Sequence, residues 1–206
     1  MKKQLLFSLF AICITGNVLI AQNEVRAPDE IKKRAFKFEF FSPLYGTLNF
    51  GYEQTLNKRI NLDVGFGIIG VGFNETAEAA NGFFVRGGPR LYFSPDYYTD
   101  DLKYYSAFQG SYFRPEVIMS FYSFDFVNET GINEVGVNAS MGIQLNFGKQ
   151  WALANTVPLD FWLGLGYNLN FTEESEQVYF KYAYLGGSGG VPLSFNFGLS
   201  LGIFTK

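Results

Sequence analysis

The most regular pattern in the chain lies near its C-terminus, where residues 191–204 read Val-Pro-Leu-Ser-Phe-Asn-Phe-Gly-Leu-Ser-Leu-Gly-Ile-Phe. A large apolar residue occupies every second position from Val191 to Ile203, and proline, serine, asparagine or glycine occupies the positions between them. Successive side chains of a β-strand point to opposite faces. The period of two therefore predicts a strand with one bulky apolar face and one small polar face.

Two segments further upstream, about 137–147 and 153–169, continue this alternation. Trp162 is the one large apolar residue on the polar positions of the three segments. The residues on the apolar positions are Val137, Ala139, Met141, Ile143, Leu145, Phe147, Val157, Leu159, Phe161, Leu163, Leu165, Tyr167, Leu169, Val191, Leu193, Phe195, Phe197, Leu199, Leu201 and Ile203.

The composition of the polar face indicates which side of the strands is buried. A soluble barrel buries its bulky apolar face and exposes a polar face rich in lysine, glutamate and threonine. Here the polar face holds glycine and serine and few charges, as expected where space is limited. An apolar exterior around a polar interior is typical of transmembrane β-barrels. Because the strands of such a barrel close into a ring, every backbone N–H and C=O group has a hydrogen-bond partner within the lipid. A soluble, lipocalin-like barrel is the alternative that alternation alone leaves open.

Eight alternating segments can be counted, separated by clusters of glycine, asparagine, aspartate and proline. We predict an all-β fold, an eight-stranded antiparallel up-and-down transmembrane β-barrel spanning residues 35–206. The segments are about 35–42, 46–56, 60–72, 83–94, 111–126, 137–147, 153–169 and 191–204. Pro89 and Pro115 fall inside two of them, and because proline cannot donate to a ladder, we expect bulges there.

The connections predict the orientation of the barrel. Short turns at 57–59 and 148–150 are typical of the periplasmic side, and long connections are typical of the external side. The predicted external loops are 74–82, 127–136 and 170–190. Because the number of strands is even, both termini lie on the periplasmic side. Two connections are exceptions to the rule of short periplasmic turns and long external loops: the external one at 43–46 is short, and the periplasmic one at 95–110 is long.

The first 21 residues predict a secretory signal peptide. Lys2 and Lys3 precede an apolar run from Leu5 to Ile14, which is too short to span a bilayer, and we place cleavage after Ala21. Residues 22–34 are polar and charged without a period, and they are interpreted as a flexible periplasmic N-terminal tail.

Composition excludes several classes of function. The chain of 206 residues has no histidine and one cysteine, so it lacks the residues for a histidine-based metal site, a Ser-His triad or a disulfide scaffold. A net charge of −3 argues against a nucleic-acid partner. No motif for a phosphate, a metal or a nucleophile is found. We therefore predict no cofactor and no enzymatic activity.

When the alternation of inward and outward positions is continued along the other strands, nine charged residues fall on inward positions. These are Lys37, Glu39, Glu53, Asp63, Arg86, Arg90, Arg114, Glu116 and Asp160. The interior of an eight-stranded barrel has room only for side chains, and a buried charge without a partner costs several kcal/mol. We expect a closed ion-pair network, with Glu116 between Arg90 and Arg114. An ion gate that opens when one pair rearranges is the alternative.

Several short motifs carry a resemblance to a known group of proteins. They are Pro43-Leu44-Tyr45-Gly46, Gly51-Tyr52-Glu53, Gly88-Pro89-Arg90-Leu91-Tyr92-Phe93, Tyr112-Phe113-Arg114-Pro115-Glu116, Gly148-Lys149-Gln150-Trp151 and Leu163-Gly164-Leu165-Gly166-Tyr167. Over about residues 35–204 the chain resembles the small outer-membrane β-barrel proteins of Bacteroidetes-type bacteria, many of unknown function. The resemblance implies an OmpA/OmpX-like barrel and supplies no catalytic residues. Such barrels usually end in an aromatic residue that signals assembly, whereas here Thr205 and Lys206 follow Phe204.

These observations predict a monomeric protein of the cell outer membrane with a filled polar lumen. Its expected role is structural, or one of surface interaction through the external loops. The expected partners are outer-membrane lipid, lipopolysaccharide and the barrel-assembly machinery. One alternative is a narrow channel for ions or small solutes. The other is a lipid-modifying enzyme, in which Asp160 or Glu116 would have to replace histidine as the base.

Overall fold

The structure is a computed structural model that describes residues 32–57, 59–71, 80–94, 108–127, 133–153, 156–171, 185–186 and 192–205. The predicted signal peptide, residues 1–21, and residues 22–31 of the predicted tail lie outside these ranges. Within them, no helix is long and apolar enough to cross a membrane.

Strands make up almost all of the described chain. They are β1 (Arg34–Glu39), β2 (Thr47–Thr55), β3 (Ile60–Ile69), β4 (Ala80–Ser94), β5 (Gly110–Val127), β6 (Asn133–Leu153), β7 (Val157–Asn170), β8 (Leu185–Gly186) and β9 (Leu193–Thr205). A short 3-10 helix, η1 (Ser42–Tyr45), connects β1 to β2. Pro43 lies in the first turn of this helix, a position for which the fixed φ of proline is suited.

The strands form a closed antiparallel barrel. Each of β1 to β6 pairs with the next strand in the chain, β7 pairs with β9, and β9 returns to β1. The closing ladder runs from Arg34, opposite Thr205, to Glu39, opposite Ser200. The two-residue strand β8 pairs with β9 beside the eight wall strands. The predicted eight-stranded antiparallel barrel is thus confirmed.

Burial alternates along the wall in the predicted phase. On β9, Ser194 and Asn196 are buried, whereas Phe195 and Phe197 are exposed. On β7, Trp162 is 2% exposed and Leu165 is 68% exposed. The bulky apolar side chains therefore lie on the outside of the barrel, and the polar positions face its interior.

Inward glycines make room for the few large side chains inside. A Cβ atom added to Gly198 would lie 2.1 Å from the ring of Trp162 on the neighbouring strand. One added to Gly148 would lie 2.4 Å from the hydroxyl of Tyr112. The glycines on the polar face are thus the partners of large inward side chains, which explains how Trp162 fits among small residues.

The two strand prolines lie opposite each other across the β4–β5 ladder. Gly87 pairs with Val117 and Leu91 with Phe113 in the same register. The two missing N–H donors therefore fall at one place, and the register continues unchanged past them. The prediction of bulges at the prolines is wrong, because the register shift between these strands lies at Tyr92–Ser94.

Several strands extend into the predicted external loops. β4 already begins at Ala80, and β6 begins at Asn133 because it stays paired with β5 up to Val127. Asn170 belongs to β7, and Leu185–Gly186 forms β8. Of the predicted loops, residues 74–79, 128–132, 172–184 and 187–190 lie outside the described residues.

Candidate functional site

All nine charged residues that the sequence places inside the barrel lie on described strands and contribute to its interior. Lys37 and Glu39 are on β1, Glu53 is on β2 and Asp63 on β3. The others are Arg86 and Arg90 on β4, Arg114 and Glu116 on β5, and Asp160 on β7. Eight of these residues are buried, and Glu39 is half-buried.

Arg90 is the centre of this charged cluster. Its Nη2 donates to Asp63 Oδ2 at 2.6 Å, and its Nη1 donates to Asp160 Oδ2 at 2.8 Å and lies 3.5 Å from Glu53 Oε2. The guanidinium carbon lies 4.0 Å from the centre of the Tyr112 ring. Arg90 thus connects strands on three sides of the barrel, and stacking on Tyr112 satisfies its face where no hydrogen bond can form.

Asp63 separates two like charges. The pairing of Leu91 with Phe113 puts Arg90 directly opposite Arg114 on the neighbouring strand, and like charges in that position repel. Asp63 accepts from Arg90 through Oδ2 and from Arg114 Nη1 through Oδ1 at 3.0 Å. One carboxylate therefore bridges the two guanidinium groups, and Asp160 and Glu116 supply the further negative charge beside them.

Glu116 contacts one of its two expected partners. Its Oε2 lies 3.1 Å from Arg114 Nε, and its Oε1 accepts from Asn146 at 3.4 Å. The ion pairs of Arg90, by contrast, are with Asp63, Asp160 and Glu53, so among the described residues no Arg90–Glu116 ion pair is found. The guanidinium of Arg90 is directed towards β2, β3 and β7, away from Glu116.

Lys37 completes the central cluster from the opposite wall. Its ammonium pairs with Glu53 and lies 3.1 Å from Asp160 Oδ2 and 3.8 Å from Asp63 Oδ2. Gln150 Oε1 accepts from Lys37 at 2.5 Å. Ionic groups buried this deeply persist only when paired and hydrogen-bonded, and Lys37 meets both requirements.

Neutral donors satisfy the remaining carboxylate oxygens. Tyr92 donates its hydroxyl to Glu53 Oε1 at 2.9 Å, and Asn61 donates to the same oxygen at 2.5 Å. Tyr112 donates to Asp160 Oδ1 at 2.8 Å. The sequence analysis did not identify these three partners. They lie on the same inward positions of β3, β4 and β5 as the charged residues, so the alternation could have identified them.

A second, smaller ion pair lies towards the end of the barrel opposite the termini. Arg86 pairs with Glu39, which also accepts from Asn49 at 2.5 Å. Trp162 links this pair to the central cluster, because its ring lies 5.3 Å from the guanidinium of Arg86 and 5.2 Å from that of Arg114. Such cation–π contacts stabilise guanidinium groups that are removed from water.

Apolar clusters fill the interior on both sides of the charged residues. At the end opposite the termini, where β3 ends and β4 begins, the buried cluster consists of Ile69, Ala80, Phe84, Ile118, Tyr122 and Phe124. At the terminal end, it consists of Ala35, Phe108 and Phe204, with Ala152 packed against it. Phe204 therefore points inward, with its ring centre 5.0 Å from that of Phe108.

The free space beside the charged residues is small. The cavity lined by Lys37, Arg90, Asp160 and Trp162 has a volume of about 10 Å³, which is room for one water molecule. In the part of the chain that the structure describes, no group of three or more acidic or cysteine side chains could hold a metal ion. The arrangement is chemically a network of ion pairs and hydrogen bonds between four cations and five carboxylates.

The fold and this interior together define a closed eight-stranded antiparallel β-barrel filled by its own side chains. Residues 6–183 match the model of a family described as "Protein of unknown function (DUF3575)", and the chain belongs to that family. The expectation of a small eight-stranded β-barrel from a family of unknown function is thereby confirmed. No curated protein is significantly similar to the chain.

A solved structure with a similar fold is the N-terminal β-barrel domain of Pseudomonas aeruginosa OprF. It is 11% identical in sequence, and the match covers 84% of this chain and 96% of that domain with a TM-score of 0.47.

Replacing Asp63 with asparagine tests whether the charged cluster holds the barrel together. The Asp63→Asn variant leaves Arg90 and Arg114 facing each other without their shared carboxylate, and we expect it to lower the free energy of unfolding by about 3–5 kcal/mol. Urea unfolding of the refolded protein in detergent or lipid measures this loss. Asp125→Asn, at an exposed position of β5, is the control and should change stability by less than about 0.5 kcal/mol. Equal stability of the two variants would contradict a stabilising role for the cluster.

Proposed function

We propose that the protein is a transmembrane β-barrel of the bacterial outer membrane, with a closed lumen and a structural or surface-interaction role carried by its external loops. The observation that carries this proposal is the inversion of the barrel, which has charged side chains buried inside and large apolar side chains outside.

The apolar exterior supports a membrane location. Phe66, Phe83 and Phe121 lie side by side on β3, β4 and β5, each about 45% exposed, with neighbouring ring centres 6.2 and 5.7 Å apart. Exposed apolar residues continue around the wall on β6, β7 and β9. Soluble monomers rarely expose contiguous apolar patches of more than a few hundred Å², whereas a lipid-facing barrel requires such a surface.

The described interior supports a lumen that does not conduct. Apolar clusters flank the charged residues on both sides, and the cavity among the charges holds about one water molecule. An ion could pass only if several buried pairs around Arg90 separated together, at a cost of several kcal/mol for each uncompensated charge.

The external loops remain as the parts that can meet a partner. When lipid covers the wall and side chains fill the interior, partner recognition is left to the connections at 74–82, 127–136 and 170–190. Most of their residues lie outside the described ranges, so their role is inferred from the sequence. The signal peptide predicted at 1–21 supports export, and we propose a monomer that inserts through the barrel-assembly machinery and contacts outer-membrane lipid and lipopolysaccharide.

We further propose that the protein is not an enzyme. Asp160 is engaged by Arg90, Lys37 and Tyr112, and Glu116 is engaged by Arg114. A general base must reach the proton that it removes, and both of these carboxylates are buried among their partners.

Conductance of the purified protein distinguishes the closed barrel from a channel. Because the described interior is filled, we expect planar bilayers containing the refolded barrel to stay silent in 1 M KCl. The Arg90→Ala variant removes the central guanidinium and is the comparison expected to give openings. Steady conductance of the unmodified barrel would favour the channel and overturn the closed lumen.

A charge placed on the outside of the barrel tests its location in the membrane. Leu145 is an outward residue in the middle of β6 and is 47% exposed. If it faces hydrocarbon, Leu145→Arg should destabilise the barrel in lipid vesicles by about 2–4 kcal/mol. Val135→Arg, near the end of the same strand and 68% exposed, should cost less than about 1 kcal/mol. Free energies of unfolding for both variants decide the point, since a soluble barrel would tolerate both changes equally.

A further inference from the structure

The outward face of the wall changes from apolar to polar at one level of the β1–β2 ladder. Phe36 on β1 and Phe50 on β2 are 51% and 47% exposed. The outward positions of these strands nearest the chain ends are Arg34 and Gln54, which pair directly with each other. If the apolar residues of the wall face hydrocarbon, as proposed above, Arg34 and Gln54 lie at the level of the lipid headgroups.

Arg34 is held at this level by a hydrogen bond. Its Nε donates to Gln54 Oε1 at 3.2 Å, and the hydroxyl of Tyr52 donates to the same oxygen at 2.7 Å. The ring of Tyr52 packs against Phe36, with ring centres 5.2 Å apart. Arg34 is exposed, and among the described residues its two Nη atoms have no acceptor. Because the guanidinium is oriented through Nε, both Nη atoms can bind one phosphate, the bidentate geometry that arginine favours.

The charges around Arg34 favour an anion over water. Residues 32–34 read Lys-Lys-Arg, and residues 57–59, in the connection that follows β2 at the same end of the barrel, read Asn-Lys-Arg. These two segments carry five cations and no acid, and Lys33 and Arg59 are exposed. The acidic residue of β2, Glu53, points into the barrel with an exposure of 0%, so it does not neutralise this outer surface.

We propose that an anionic phospholipid binds here through its phosphate, at a surface, the β1–β3 rim, formed by Lys33, Arg34, Tyr52, Gln54 and Arg59. This inference rests on the proposed lipid-facing wall, because the acyl chains lie along Phe36 and Phe50 while Arg34 holds the phosphate. β1 begins and β9 ends at this end of the barrel, which the proposed topology places at the periplasmic leaflet, where phospholipid rather than lipopolysaccharide forms the membrane. Each lysine or arginine near an anionic lipid surface adds to the attraction.

A tryptophan placed at position 36 reports which lipid lies beside the β1–β3 rim, because bromine atoms on acyl chains quench indole fluorescence on contact. The natural tryptophans are Trp151 and Trp162. The Trp151→Phe substitution removes the first, and Trp162, which is 2% exposed inside the barrel, adds a constant background. The barrel carrying Phe36→Trp and Trp151→Phe is refolded in vesicles of phosphatidylcholine with a smaller share of phosphatidylglycerol, and either one lipid or the other is brominated.

We expect phosphatidylglycerol to be enriched about fivefold beside the introduced indole, as for one cation near an anionic headgroup. Arg34→Gln in the same background, a change at an exposed position that should leave folding intact, should lower the enrichment to below about twofold. The matched control is Lys149→Gln on β6, which is separated from β1 by β7 and β9 and should leave the enrichment unchanged. Sodium phosphate at constant ionic strength should also leave it unchanged, because a lipid is held by its acyl chains as well.

Equal quenching by the two brominated lipids would overturn the proposal, since the rim would then have no preference for an anionic headgroup. Enrichment that survives Arg34→Gln, or that Lys149→Gln lowers by as much, would show a general effect of charge and would also overturn it. Loss of the enrichment in sodium phosphate would identify free phosphate as the ligand and contradict the lipid assignment. An introduced indole that neither lipid quenches would instead contradict the lipid-facing wall on which this inference rests.

Discussion

The interior of an eight-stranded barrel is only as wide as the side chains that fill it, and this limit governs the rest of the structure. A charge inside cannot keep its water, so it must be neutralised by a neighbour across the lumen. Asp63 shows the consequence most directly, since it serves Arg90 and Arg114 at once. The same limit on volume explains why a glycine lies beneath each of two large inward rings, Gly198 beneath Trp162 and Gly148 beneath Tyr112.

The period of two carries enough information to predict the barrel and the set of residues inside it. The pattern also predicts that the sheet closes into a barrel. Every strand has an apolar outer face and a polar inner face, so no strand is suited to be a solvent-exposed edge of the sheet. The nine interior charges could be assigned by parity alone, since strand geometry fixes which side of the wall a residue occupies. Asp160 and Lys37, for example, are 123 residues apart in the chain and lie within 3.1 Å of each other.

Parity does not predict which of the interior groups pair with each other. Partner choice depends on strand stagger and on the directions of long side chains across the lumen. Glu116 and Arg90 lie on neighbouring strands, yet Arg90 extends towards β2, β3 and β7, where it meets Glu53, Asp63 and Asp160. The continuous register past Pro89 and Pro115 was unpredictable for a similar reason, because it depends on the two prolines facing each other. The inward position of Phe204 follows from its parity with Ser194 and Ser200, but its contact with Phe108 could not be predicted, because Phe108 lies in a connection that the periodic pattern does not cover.

We propose that the wall is inverted relative to a soluble barrel, with its apolar side chains in contact with hydrocarbon. Spin labels attached to single cysteines at Ile143 and Leu145 of the barrel in lipid vesicles test it most directly, because Cys13, the chain's one natural cysteine, belongs to the predicted signal peptide. If the wall faces hydrocarbon, both labels collide readily with molecular oxygen, which dissolves in hydrocarbon, and hardly at all with a water-soluble nickel chelate. Labels at Ile143 and Leu145 that relax strongly with the nickel chelate would place this surface in water and rule out a lipid-facing wall.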